Sequence, residues 1–112
     1  MAVTRLALWA PVVLWATLIF VLSSLPSLET GLGTWDLVLR KLAHLGEFAI
    51  LGALLVRALG REPAAAVLGS LYAVTDELHQ VFVPGRHGSP LDWAIDTVGV
   101  LVGVLVFTRV AR

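Results

Sequence analysis

Apolar residues gather into four long stretches along the chain, at 6–25, 42–59, 64–83 and 90–107, separated by short polar breaks. Each approaches the ~20 residues that a helix needs to cross a ~30 Å hydrocarbon core. The second stretch has a polar start that extends it back towards Thr34 to Asp36. Gly60-Arg61-Glu62-Pro63 reads as a turn with proline placed to open the next helix, and Pro84-Gly85-Arg86-His87-Gly88-Ser89 as a compact hairpin. Loops this short make consecutive helices antiparallel neighbours. The pattern therefore predicts an all-α fold, an integral membrane bundle of four transmembrane helices forming one domain over residues 1–112. The first stretch is expected to be a retained helix rather than a signal peptide. Its apolar run exceeds the ~7 to 15 residues of a secretory h-region, and Ser23-Ser24-Leu25-Pro26-Ser27 offers no A-x-A cleavage site.

Composition agrees with a bilayer as solvent. Of 112 residues, 58% are hydrophobic and only 14% charged, against about 25% charged in typical soluble domains. So small a domain cannot hide that much apolar area from water. Eight Lys plus Arg balance eight Asp plus Glu without a basic cluster, which argues against a nucleic-acid partner. The absence of cysteine excludes disulfides, thiolate metal sites and a cysteine nucleophile. Arg5, Arg57, Arg61, Arg109 and Arg112 fall on one side of the predicted bundle, and Arg40, Lys41 and Arg86 on the other. By the positive-inside tendency both termini are expected in the cytoplasm of a bacterial cell, with the protein multi-pass in its plasma membrane. The net charge of zero then conceals a polarised molecule. The cytoplasmic half holds five bases and Glu62, and the outer half three bases and seven acids.

Ionisable residues within apolar stretches are the candidates for chemistry, because each costs about 2.5–3.5 kcal/mol at the centre of a membrane helix. At ~1.5 Å per residue, Glu47, Asp76 and Asp96 lie roughly 8, 10 and 9 Å in from the outer ends of their helices, so three helices place acids at one level. Helical spacing puts His44 with Glu47, Asp76 with His79 and Gln80, and Asp92 with Asp96 on common faces. Gly99 and Gly103 continue the face of Asp92 and Asp96 and form a G-x-x-x-G pair suited to close helix approach. Asp76, Glu77, Gln80 and Asp96 are expected to line a pocket with His44 and Glu47 as its opposite wall. Arg86, in a glycine-flanked loop at the mouth, suits phosphate or carboxylate recognition.

Several of these residues also have a structural reading. Asp92 fits the third position of a capping box begun by Ser89. His79 fits an interfacial histidine, Arg40 and Lys41 fit snorkelling cations, and Trp9, Trp15, Trp35 and Trp93 fit interface anchors or packing. For the acids the alternative is a hydrogen-bond network that fixes helix register. No cofactor and no metal ligand is assigned from the sequence. Oxygen-rich His, Asp and Glu sets suit divalent ions, but H-E-x-x-H and similar signatures are absent.

The run from Asp76 to Arg86, Asp-Glu-Leu-His-Gln-Val-Phe-Val-Pro-Gly-Arg, followed by Ser89, Asp92, Gly99 and Gly103, closely resembles the signature of VanZ-like membrane proteins. Lys41, His44, Glu47 and the Ile19-Phe20-x-x-Ser23-Ser24 end of the first helix match the rest of that pattern. The resemblance implies a small integral membrane protein of a bacterial family whose namesake is linked to resistance against the glycopeptide teicoplanin. It implies no established reaction. Two positions depart from the pattern: Asp96 stands where asparagine is common, and Phe48 where tyrosine is frequent.

The expected function is handling of a lipid or cell-envelope headgroup by an outward-facing acidic pocket. Three alternatives stand beside it: an intramembrane hydrolase or transferase using Asp76, Glu77, Asp96, Glu47 and His44, a proton or solute pathway, and a purely structural bundle. Lack of ionisable residues in the cytoplasmic halves of the helices argues against the pathway. The expected partner is a membrane lipid or envelope precursor, and the small space that four helices enclose leaves association into a homo-oligomer open.

Overall fold

The computed structural model describes residues 4–25, 33–86 and 88–111. They form four helices and no strand: α1 Arg5–Ser24, α2 Thr34–Leu59, α3 Glu62–Val81 and α4 Pro90–Ala111. The all-α expectation holds, and α2 takes the longer of its two expected forms because nothing between Trp35 and Lys41 breaks a helix. α4 runs four residues past its expected end for the same reason, whereas α3 stops at Val81, before the turn through Pro84 and Gly85. His87 of the expected hairpin lies outside the described residues, as do Pro26 and the first glycine of the α1–α2 connection.

Length and composition qualify α1, α2 and α4 to cross a membrane, but not α3. Of the four transmembrane helices expected, three thus have the length and apolar composition of a span. Asp76, Glu77, His79 and Gln80 crowd the last turns of α3 and offset the apolar character of its first half. The described residues extend over 50 × 23 × 22 Å, long enough for a bilayer of about 40–45 Å including headgroups.

Burial is inverted relative to a water-soluble protein. Leu14, Leu71, Val102 and Leu105 are largely exposed, while Asp96, Asp76, Glu77, Gln80 and Ser23 are buried. An apolar exterior around a polar interior is the arrangement that lipid as solvent favours. The apolar core is small: Ile19 of α1, Phe48, Leu51 and Leu55 of α2, Ala65 and Ala73 of α3, and Val100 and Val104 of α4.

α4 packs most extensively on α2, then on α3, whereas α1 touches α2 and α3 but not α4 among the described residues. The G-x-x-x-G pair makes the α2–α4 seam. A methyl group added at Gly99 would stand 2.5 Å from the Leu45 carbonyl oxygen, and one at Gly103 would overlap the Ala49 carbonyl. The backbones themselves are in contact there, which only glycine permits.

α1 is fastened by polar ties instead. Trp15 Nε1 donates to the Glu47 carbonyl at 2.8 Å, and the Tyr72 hydroxyl donates to the Ala16 carbonyl at 2.5 Å. Pro11 lies inside α1 and has no N–H for the Ala7 carbonyl one turn earlier. Arg57 Nη1 reaches across from α2 to that same carbonyl, at 3.3 Å, so a side chain supplies the donor that proline withholds. Tyr72→Phe removes the only donor of its pair and is expected to lower stability by about 1 kcal/mol. Unfolding in a detergent titration checks this, and a midpoint unchanged from the parent would deny the tie any role.

Candidate functional site

Three helices converge on four polar residues. His44 comes from α2, Asp76 and Glu77 from α3 and Asp96 from α4, and one ligand atom from each lies within 4.8 Å of all the others. Asp96 is 0% exposed, Asp76 4% and Glu77 6%. His44 Nδ1 stands 3.3 Å from Asp96 Oδ1, but the geometry does not make a hydrogen bond. Asp76 Oδ1, both oxygens of Glu77 and both of Asp96 are likewise buried without a hydrogen-bond partner. Among the described residues no Lys or Arg lies within ion-pair distance of these three acids. So many unpartnered buried oxygens are unusual, since a buried polar group without a partner costs about 1–3 kcal/mol.

Gln80 bridges this group to α1. Its Nε2 lies 3.4 Å from Ser23 Oγ, His44 Nε2 and Asp76 Oδ2. Ser23 is 1% exposed and is the buried polar side chain that α1 adds to this group. As a site residue it escapes the spacing argument, because the contact joins positions 57 residues apart.

A cleft of about 110 Å³ opens beside the group, lined by Leu37, Arg40, Lys41, His44, Gln80, Arg86, Asp92, Ile95 and Asp96. Its lining carries three cations, Arg40, Lys41 and Arg86, beside the acids Asp92 and Asp96 and His44. Lys41 Nζ donates to Asp92 Oδ1 at 2.6 Å, so Lys41 is tied to α4, which revises its reading as a cation that merely snorkels. The Asp92 N–H also donates to Ser89 Oγ at 3.1 Å, as expected of a helix start capped by Ser89. Arg86 lines the mouth as expected and donates from Nη1 to the Leu25 carbonyl at 3.2 Å.

Three expected placements change. Glu47 is not among the four converging residues and does not line the cleft. It is half-buried one turn further along α2 than His44, with Trp15 held on its carbonyl. Asp76 and Glu77 belong to the buried group rather than to the cleft wall. Glu77 also reaches a second, apolar groove of about 270 Å³, walled by Val74, Leu78, Val81, Gly88, Ser89, Pro90 and Trp93. His79 turns away to α1, where its ring stacks on Phe20 at 4.4 Å and its Nε2 lies 2.8 Å from Ser24 Oγ. It shares a broad face with Asp76, yet sits on the α1 flank of that face.

The model of the VanZ/LLP1 family matches residues 5–111, nearly the whole chain. The chain belongs to the VanZ/LLP1 family. No curated protein and no solved structure matches it. With three helices of membrane-spanning length and composition, it is a VanZ-like membrane protein. The VanZ-like signature maps onto the site: the Asp76-to-Arg86 run supplies two acids of the buried group, Gln80 and the cationic mouth, and Gly99 and Gly103 supply the seam. Trp15 packs against the core and its indole N–H donates to the Glu47 carbonyl, while the exposed Trp93 donates to the Ser70 carbonyl.

Proposed function

We propose that this VanZ-like protein binds the anionic headgroup of a membrane lipid or cell-envelope precursor in the cleft between α2, α3 and α4. The observation that carries the reading is the presence of Arg40, Lys41 and Arg86 in the lining of a cleft of headgroup scale. Guanidinium groups give planar, bidentate recognition of phosphate or carboxylate, and an ammonium adds a point charge. In this reading α3 crosses the membrane with the other three helices, as antiparallel neighbours, because its polar residues Asp76, Glu77 and Gln80 are covered by the bundle. The excess of arginine at the opposite end supports cytoplasmic termini and an outward-facing cleft in the bacterial plasma membrane.

The test is mass spectrometry of lipids retained by protein purified in mild detergent. An anionic lipid is expected to be enriched with the parent protein and depleted at least tenfold with Arg86→Ala. Absence of any enriched lipid from the parent sample would overturn the reading.

A hydrolase or transferase acting on the same headgroup is the second reading, favoured by His44 and Asp96 in the cleft's lining. It requires turnover of the retained lipid by the parent protein and its loss in His44→Gln with the lipid still bound.

A further inference from the structure

We propose that His44, Asp76, Glu77 and Asp96 form a binding site for one divalent metal ion of the Mn²⁺ or Zn²⁺ type. The inference rests on two independent observations. One ligand atom from each of the four residues falls within 4.8 Å of the other three. Separately, Asp76, Glu77 and Asp96 are each more than nine-tenths buried and hold oxygens with no hydrogen-bond partner. Acids placed together only to fix helix register would be expected to bond one another or the neighbouring amides and hydroxyls. Here Asp76 Oδ1 and both oxygens of Glu77 and of Asp96 have no hydrogen-bond partner, and only Asp76 Oδ2 is engaged, by the Gln80 amide at 3.4 Å.

The distances suit a metal. Ligand atoms at about 2.0–2.2 Å from a common ion stand roughly 2.8–4.4 Å apart in tetrahedral or octahedral arrangements, so side-chain movements of about 1 Å close the group around one. The donor set selects the ion. Three carboxylates favour hard cations, and one imidazole shifts the preference to borderline ions and away from Ca²⁺, which takes 6–8 oxygens. Charge agrees as well: the described residues provide no Lys or Arg within ion-pair distance of the three acids, and a dication offsets most of their charge. His44 presents Nδ1 to the group while its other ring nitrogen faces the Gln80 amide at 3.4 Å. The four ligands come from α2, α3 and α4, so the ion would join the three helices that enclose the cleft.

The site is independent of the headgroup reading, because metal is measured with no lipid added. Full-length protein in detergent, stripped with chelator, is titrated with Mn²⁺ and the free ion followed by its six-line electron paramagnetic resonance signal. Saturable binding of one ion per chain, displaced by Zn²⁺, is expected. Glu77→Gln and Asp96→Asn should each weaken it at least tenfold, while Glu62→Gln, at the far end of α3, binds as the parent does. Nitrogen modulation in the electron spin echo of bound Mn²⁺ should be present in the parent and absent in His44→Gln. Unsaturable or absent binding in the parent, or unchanged binding in both acid variants, would overturn the proposal and leave the quartet as a protonated structural network. If neither acid variant folds, the parent decides: one ion per chain with nitrogen modulation supports the site, and binding without that modulation overturns it.

Discussion

A Gly103→Ala protein is expected to be less stable than its parent by about 2–3 kcal/mol, and Gly103→Leu is expected not to assemble at all. Overpacking a well-filled interior costs about 1–3 kcal/mol when flexible side chains absorb the strain. Here the obstacle is the Ala49 carbonyl, part of the α2 backbone, which cannot rotate aside. α4 would have to retreat from α2 along the most extensive contact in the molecule. The loss is read as a lower unfolding midpoint in a denaturing-detergent titration of the purified protein. A Gly103→Ala midpoint equal to the parent's would show that the helices do not approach at this seam.

Glu77→Met should act in the opposite direction and raise stability by about 1–3 kcal/mol when metal is removed by chelator. Both oxygens of Glu77 are buried without partners, and relieving a buried unsatisfied group recovers roughly its desolvation cost. Methionine is similarly long and unbranched, and the neighbouring groove is apolar, with Val74, Leu78, Val81 and Trp93 on its walls. The same substitution deletes a proposed ligand, so the parent should gain stability on Mn²⁺ addition while Glu77→Met gains none. A variant destabilised in chelator would mean that Glu77 already has a partner in the metal-free protein.

Most of the fold is legible in the sequence because the apolar stretches and their breaks follow the spacing that membranes impose. The G-x-x-x-G stripe likewise foretells a close helix contact, since Gly99 and Gly103 share a face with Asp96. The site is legible only in part. Matching depth correctly groups Asp76 with Asp96, but depth alone has no angular resolution between helices. It therefore admits Glu47 beside His44, whereas of the two only His44, one turn nearer the helix start, is among the four converging residues. Spacing also allies His79 with Asp76 and Gln80, though a 60° offset about the helix axis suffices to hand it to Phe20 and Ser24 of α1. Lys41 with Asp92 and Gln80 with Ser23 join positions 51 and 57 residues apart. No periodicity within one helix carries such information, because the pairings depend on how neighbouring helices are rotated about their axes.

The α2–α4 seam bears on the site's tolerances. Leu45, whose carbonyl meets Gly99, is the residue after His44, and Gly99 lies three residues beyond Asp96. The 3.3 Å between His44 and Asp96 is therefore gauged within one helical turn by a contact of backbone on backbone. Such a contact has no rotamers through which to drift, so the gap between the two side chains inherits the stiffness of the main chain. Two glycines with no chemistry of their own thus act as the calibration stop for the residues that do have it.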